Sequence, residues 1–156
     1  MSENQDLQLE QDVSVLEAVT IRLGWVSRRR LEQELSAYNL TVPQFIALRC
    51  IQESGSGCSM SELAESSYQV SATMTGIVDR LAEGGLVRRE RVSRDRRTLR
   101  VVLTPPGVDL LQRISLAKRS WICQFLSDLT PQERLGMIGM AERYLALMEK
   151  TVKELC

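Results

Sequence analysis

Three stretches of this chain open an apolar helical period with a hydroxyl residue followed, three positions on, by Gln or Glu: "TVPQ" at 41–44, "SMSE" at 59–62 and "TPQE" at 130–133. Each is a capping box. The Ser or Thr oxygen accepts from a backbone N–H that has no partner inside the new helix, and the Gln or Glu side chain returns to the cap's own N–H. A fourth start, "TPPG" at 104–107, offers Thr104 as cap and Pro105 at the first helical position, where a missing N–H costs nothing. Four such starts divide the chain into helices and leave room for only a little sheet.

The stretches between these starts carry helical periodicity. Before Thr41, Leu9, Val13, Leu16, Val19 and Leu23 recur at three- and four-residue steps, predicting a helix over 9–38 that breaks at Tyr38-Asn39-Leu40. Arg28–Glu32 and Arg30–Glu34 are pairs four residues apart and read as a solvated face. Phe45, Leu48, Cys50 and Ile51 give the next helix its apolar side, and Gly55-Ser56-Gly57 ends it as a flexible turn. A short helix with Leu63 and Ala64 ends near Ser66-Ser67. After a turn at Tyr68-Gln69-Val70, Met74, Ile77, Val78 and Leu81 form the buried stripe of a helix over 71–83, stopped at Gly84-Gly85. Beyond Thr104, Val108, Leu111, Ile114, Ile122, Phe125 and Leu126 fall on one helix. Leu135, Ile138, Leu145, Met148, Val152 and Leu155 fall on the last. A small domain cannot cover the last stripe alone; it needs the first helix or another subunit.

Two short helices joined by a tight turn outline a helix-turn-helix. The second leaves Ser71, Ala72, Thr73, Thr75, Gly76 and Arg80 off its apolar stripe. A slim face with hydrogen-bonding side chains suits a major groove, where such groups meet base edges or phosphates. An ordinary solvated face would look the same. The next segment favours DNA. Leu86-Val87-Arg88 opens a strand, and Leu99, Val101 and Leu103 alternate with Arg100 and Val102 as in a half-buried return strand. The connection Val92–Arg97 is then a hairpin tip. Residues 88–100 hold seven arginines against Glu90 and Asp95, a net of +5 in a chain whose total is zero. Such a patch attracts polyanions through its local field. An arginine there suits a narrow A·T-rich minor groove, with Asp95 acceptable as a bidentate brace.

The remaining composition excludes more than it suggests. Histidine is absent, which removes the commonest general base and metal ligand, so Ser-His-Asp, Cys-His and zinc hydrolases are not expected. No cofactor, metal or catalytic residue is expected. Cys50, Cys58, Cys123 and Cys156 form no CxxC pair and read as reduced thiols. A redox sensor would need one of them activated by neighbouring positive charge. The acidic start MSENQDLQLEQD lacks signal-peptide character, and no apolar run approaches the roughly 20 residues that span a bilayer. A cytoplasmic protein without a membrane partner is expected.

The order of these elements, with "VSATMTGIVDRLAEGGLVRRE" (70–90) and "DRRTLRVVLTPPG" (95–107), resembles the MarR-type winged-helix regulators over nearly the whole chain. The resemblance implies a mainly α, winged helix-turn-helix fold. Residues 1–40 and 105–156 would dimerise around a DNA-binding lobe at 41–104. It implies a homodimeric repressor on near-palindromic double-stranded DNA. The DNA contacts would come from Ser71, Thr73, Thr75, Arg80, Arg88, Arg94, Asp95, Arg96 and Arg97, with Asp95 supporting the minor-groove arginine, Arg97. The family often has Asp-Pro earlier in the wing, where this chain has Val92-Ser93. A small aromatic or anionic effector is implied between dimer helices and lobe, with Trp25, Arg49 and Trp121 as its candidate residues. Zinc-sensing relatives use histidines, and peroxide-sensing ones a cysteine in the first helix; this chain has neither. A winged-helix protein-interaction module and a thiol-based redox regulator are the alternatives.

Overall fold

The computed structural model describes residues 3–67, 71–92 and 95–155. Six helices and one hairpin follow in the order α1 (Glu3–Ser36), α2 (Val42–Glu53), α3 (Met60–Ser66), α4 (Ser71–Glu83), β1 (Val87–Val92), β2 (Asp95–Leu103), α5 (Pro105–Ser127) and α6 (Pro131–Leu155). The winged helix-turn-helix expected from the sequence is present. The chain divides into two compact units, Met1–Ile114 and Ser115–Cys156. No helix among the described residues is long and apolar enough to cross a membrane.

Every capping signal forms. Thr41 accepts from the Gln44 N–H, Ser59 from the Glu62 N–H and Thr130 from the Glu133 N–H, each with the reciprocal bond from the acid or amide side chain. Thr104 accepts from the Gly107 N–H and also donates to the Gly85 carbonyl at 2.6 Å, so one hydroxyl caps α5 and ties it to the end of α4. At that end Gly85 adopts φ +68, the Gly85 N–H reaches the Ala82 carbonyl and the Leu86 N–H the Leu81 carbonyl. This is the Schellman termination that glycine favours. The first helix begins six residues earlier than its apolar period predicts: residues 3–8, polar except for Leu7, continue it, and residues 5–8 are exposed.

The core belongs to the first unit. Leu35, Leu48, Leu63, Met74, Val78, Leu81, Val101 and Ile114 are fully buried, drawn from α1, α2, α3, α4, β2 and the start of α5. Each such side chain is worth roughly 1.5–3 kcal/mol of removed apolar surface. Met74, Ile77, Val78 and Leu81 are all buried, as their spacing predicts, so the opposite face of α4 is held outward.

Two local readings change. The turn Gly55-Ser56-Gly57 is not merely flexible. Gly57 is buried at φ +79, and a Cβ there would lie 2.5 Å from Val102 Cγ1 and 2.6 Å from the Val101 carbonyl oxygen. Next to it Cys58 exchanges both backbone hydrogen bonds with Val101, at 3.1 and 2.8 Å, adding a one-residue third strand to the hairpin. The hairpin also pairs further than the apolar alternation predicts. The antiparallel register runs from Val87↔Leu103 to Val92↔Asp95, with an irregularity between Arg91 and Val92. The backbone of Asp95, Arg96 and Arg97 is therefore strand, not connection. Of the alternating residues, Val101 is buried and Leu103 packs at the core's edge. Leu99, nearer the hairpin tip, is 47% exposed.

In the second unit α6 and the last turns of α5 keep their apolar residues at the surface of the single chain: Ile122, Phe125, Leu135, Ile138, Leu145 and Met148 are all exposed. The α1 stripe, Leu9, Val13, Leu16, Val19 and Leu23, is exposed as well.

Candidate nucleic-acid interface

The outward face of α4 consists of Ala72, Thr73, Thr75, Gly76 and Arg80, all exposed. The side chain of Ser71 lies outside the described residues, as does the turn 68–70. Asp79 stands among these residues, and its carboxylate accepts from Arg89 on β1 at 2.6 Å. Glycine at 76 is unfavourable by about 1 kcal/mol relative to alanine in a helix interior. A Cβ there would meet nothing within 4 Å.

The arginines of the wing divide into two groups. At its root, Arg88 donates to Glu90 at 2.7 Å, Arg89 to Asp79, and Arg100 lies 3.6 Å from Glu62 on α3. Each strand is thus linked by an ion pair to one helix of the helix-turn-helix. All of these side chains are at least a third exposed, so the pairs orient more than they stabilise. Glu62 is held below the usual carboxylate range first by the Ser59 N–H, then by the Ser59 hydroxyl, with Arg100 adding to both. Asp79 and Glu62 come from outside residues 88–100, so folding reduces the net +5 of that segment to +3 at the wing. Arg91 is exposed; Arg94 and the side chains of Asp95, Arg96 and Arg97 lie outside the described residues.

Sequence reasoning missed Asp79 and Glu62 because their partners are 10 and 38 residues away. It also missed a cavity of about 600 Å³ whose lining includes Arg28 and Glu32 of α1, Pro43 of α2, and Thr73, Ile77 and Arg80 of α4. Two arginines and the base of the outward α4 face converge on it. The residues expected to hold an effector are not among those that line it. Trp25 is 71% exposed on α1, and Arg49 spends its guanidinium on Gln52 and Glu53 of its own helix, at 3.2 and 2.7 Å. Trp121 belongs to the second unit, on α5.

Cys50 and Cys58 tend away from reactivity. Burial, followed by the charge of Glu53, raises Cys50 above the ordinary thiol value, and its Sγ donates to the Ser66 carbonyl at 3.6 Å. Burial likewise raises Cys58. A redox-active cysteine needs the opposite shift. No metal-binding cluster of three or more His, Cys, Asp or Glu occurs among the described residues.

Comparison with known proteins agrees with this geometry. The MarR family model matches residues 40–99, which span α2, the helix-turn-helix and most of the wing. The HTH-type transcriptional repressor Mb2911 of Mycobacterium bovis is 32% identical over 114 residues, covering 72% of this chain and 81% of the relative. The chain belongs to the MarR family. A solved MarR family protein from Bacillus stearothermophilus is 25% identical, with a TM-score of 0.70 over 98% of this chain and 99% of that one. BpsR of Bordetella bronchiseptica, whose DNA binding is described as regulated by 6-hydroxynicotinic acid, shares the fold at 23% identity and a TM-score of 0.63 over 82% of this chain and 91% of its own. This MarR-family chain is a DNA-binding regulator of transcription, not an enzyme, and α3, α4 and the hairpin are its winged helix-turn-helix.

Proposed function

We propose that the chain acts as a homodimeric repressor on near-palindromic double-stranded operators and is released by a small aromatic or anionic compound. The observation that supports the DNA contact is the pairing of a slim outward α4 face with an arginine-rich hairpin whose root arginines Arg88, Arg89 and Arg100 are held in ion pairs. Ser71, Thr73, Thr75 and Arg80 would meet base edges and phosphates in the major groove. Arg94, Arg96 and Arg97 would track the minor groove or backbone, with Asp95 bracing Arg97. Arg88 would reach a phosphate by exchanging Glu90 for it. A protein-binding wing has no need of this charge, which disfavours the interaction-module alternative. Two copies would place their α4 helices about one DNA turn apart, roughly 34 Å.

The test is operator affinity by fluorescence anisotropy at several salt concentrations. Arg97→Ala is expected to weaken binding by roughly 1–3 kcal/mol and to reduce the preference for A·T-rich flanks. Arg88→Ala should weaken all sequences alike and lower the salt slope by about 1. Asp95→Ala should also weaken binding although it removes a negative charge near DNA, because the brace is lost. Tighter binding by Asp95→Ala would refute the brace.

For the effector, the cavity beneath α4 is the favoured seat, since Arg28 and Arg80 can face an anionic group there and Arg80 also belongs to the DNA face. Trp25, Arg49 and Trp121 form the alternative seat. A benzoate-type acid at 100 times its dissociation constant should raise stability by about 2.7 kcal/mol and release DNA. Arg80→Ala should abolish the thermal shift, and Trp25→Ala/Trp121→Ala should leave it intact. The reverse pattern moves the seat to the tryptophans.

A further inference from the structure

Four glycines in or beside the lobe have evident reasons to be glycine. Gly55, Gly57 and Gly85 adopt positive φ, and a Cβ on Gly107 would run into the Leu86 carbonyl. Gly76 has none. It lies within α4 and is not among the positive-φ residues, so its backbone accepts any L residue. Apart from its chain neighbours and the backbone of its own helix, a Cβ there would meet no atom of the described residues within 4 Å, so their packing does not require its absence. Glycine in that position weakens the helix. At 3.6 residues per turn it stands almost opposite the buried stripe of Met74, Ile77, Val78 and Leu81. Ala72 lies one turn before it, Arg80 one turn after, and Thr73 beside it. The other helical glycines whose missing Cβ faces open space are Gly24, Gly136 and Gly139. All three lie on α1 and α6, the surfaces assigned to a second copy under the proposed function.

We infer that Gly76 is the point at which α4 comes closest to the DNA base edges, and that the missing side chain sets how deeply the helix seats. The inference rests on the reading of α4 as the major-groove helix. A helix with its side chains is about 10–12 Å across and a B-form major groove about 12 Å wide, so a single methyl at the deepest point counts. Seating at Gly76 brings the hydroxyls of Thr73 and Thr75 within reach of the base edges and Arg80 toward the flanking strand. Gly76 is thus a specificity-determining position that works by being empty.

The experiment compares Gly76→Ala and Gly76→Leu with the wild-type chain on a fluorescein-labelled duplex from the gene's own upstream region and on an unrelated duplex. Both variants should melt at or above the wild-type temperature, since alanine and leucine are better helix formers. Gly76→Ala should weaken operator binding by about tenfold and Gly76→Leu by more, because seating depth matters for base readout. Binding to the unrelated duplex, held by phosphates, should change less than twofold. The combination of a more stable protein and a selective loss of operator binding is the expected signature. Operator affinity in Gly76→Ala equal to or tighter than wild type would overturn the inference while leaving the DNA-binding reading intact. So would a lower melting temperature, which would mean the chain itself needs the glycine. Failure of the wild-type chain to prefer its operator over the unrelated duplex would overturn both.

Discussion

An arginine in place of Leu145 is expected to leave a folded monomer that no longer grips its operator. Leu145 is 56% exposed in the single chain, so the substitution takes nothing from the core of either unit. Its neighbours on α6, Leu135, Ile138 and Met148, are 75%, 42% and 45% exposed, and the five stripe residues of α1 lie between 50% and 63%. Large apolar side chains in such runs rarely stay in water on a monomeric protein. Under the proposed function a second copy covers them. An arginine would then be buried without a counter-charge, at a cost of several kcal/mol to association. Sedimentation at micromolar concentration should give a dimer for the wild-type chain and a helical monomer for Leu145→Arg. A variant that remains dimeric, or a wild-type chain that sediments as a folded monomer, would contradict the dimer.

Gly107→Ala is expected to produce the largest loss of folding stability of any single methyl added to the lobe, roughly 3 kcal/mol, near the upper end of what overpacking costs. The new Cβ would overlap the Leu86 carbonyl oxygen, lie 3.1 Å from the Leu86 carbonyl carbon and touch Leu103 Cδ2 at 3.5 Å. Neither party can yield easily. The Leu86 carbonyl accepts from the Thr104 N–H at 3.0 Å, and the Gly107 N–H donates to the Thr104 hydroxyl. Urea unfolding should show a lowered midpoint with an unchanged slope. A variant as stable as wild type would mean that α5 can slide along β1 in spite of these contacts. The same methyl at Gly76 meets open space, so the two substitutions should move stability in opposite directions.

How much of this was readable without coordinates depended on how far apart the interacting residues lie in the chain. Capping boxes and apolar stripes are local chemistry, so Thr41, Ser59, Thr104, Thr130 and the Met74–Leu81 stripe behaved as their spacing predicts. Gly107 enters within "DRRTLRVVLTPPG", a stretch that carries the family resemblance; the carbonyl of Leu86 supplies the reason for a glycine there. Contacts across the fold left no local trace. Nothing in "GSGCSM" indicates that Gly57 will lie against Val101, or that Cys58 will pair with it. Asp79 and Glu62 look like ordinary surface acids until the wing folds onto them. The cavity beneath α4 requires the end of α1, the start of α2 and α4 to meet, which no periodicity encodes. Trp25, Arg49 and Trp121 enter as effector candidates through the resemblance, which says nothing about where their side chains point.

The one-residue strand at Cys58 has a mechanical consequence. Through it, and through the two ion pairs and the Thr104 hydroxyl, the hairpin is fastened at four places to the segments that hold α3 and α4. Helix and wing root are therefore held together as a single stiff jaw. A regulator built this way resembles a caliper. Under the proposed function an effector would gain little by deforming one jaw; control would fall to the gap between the two jaws of a dimer, and an operator would be recognised as much by its span as by its letters.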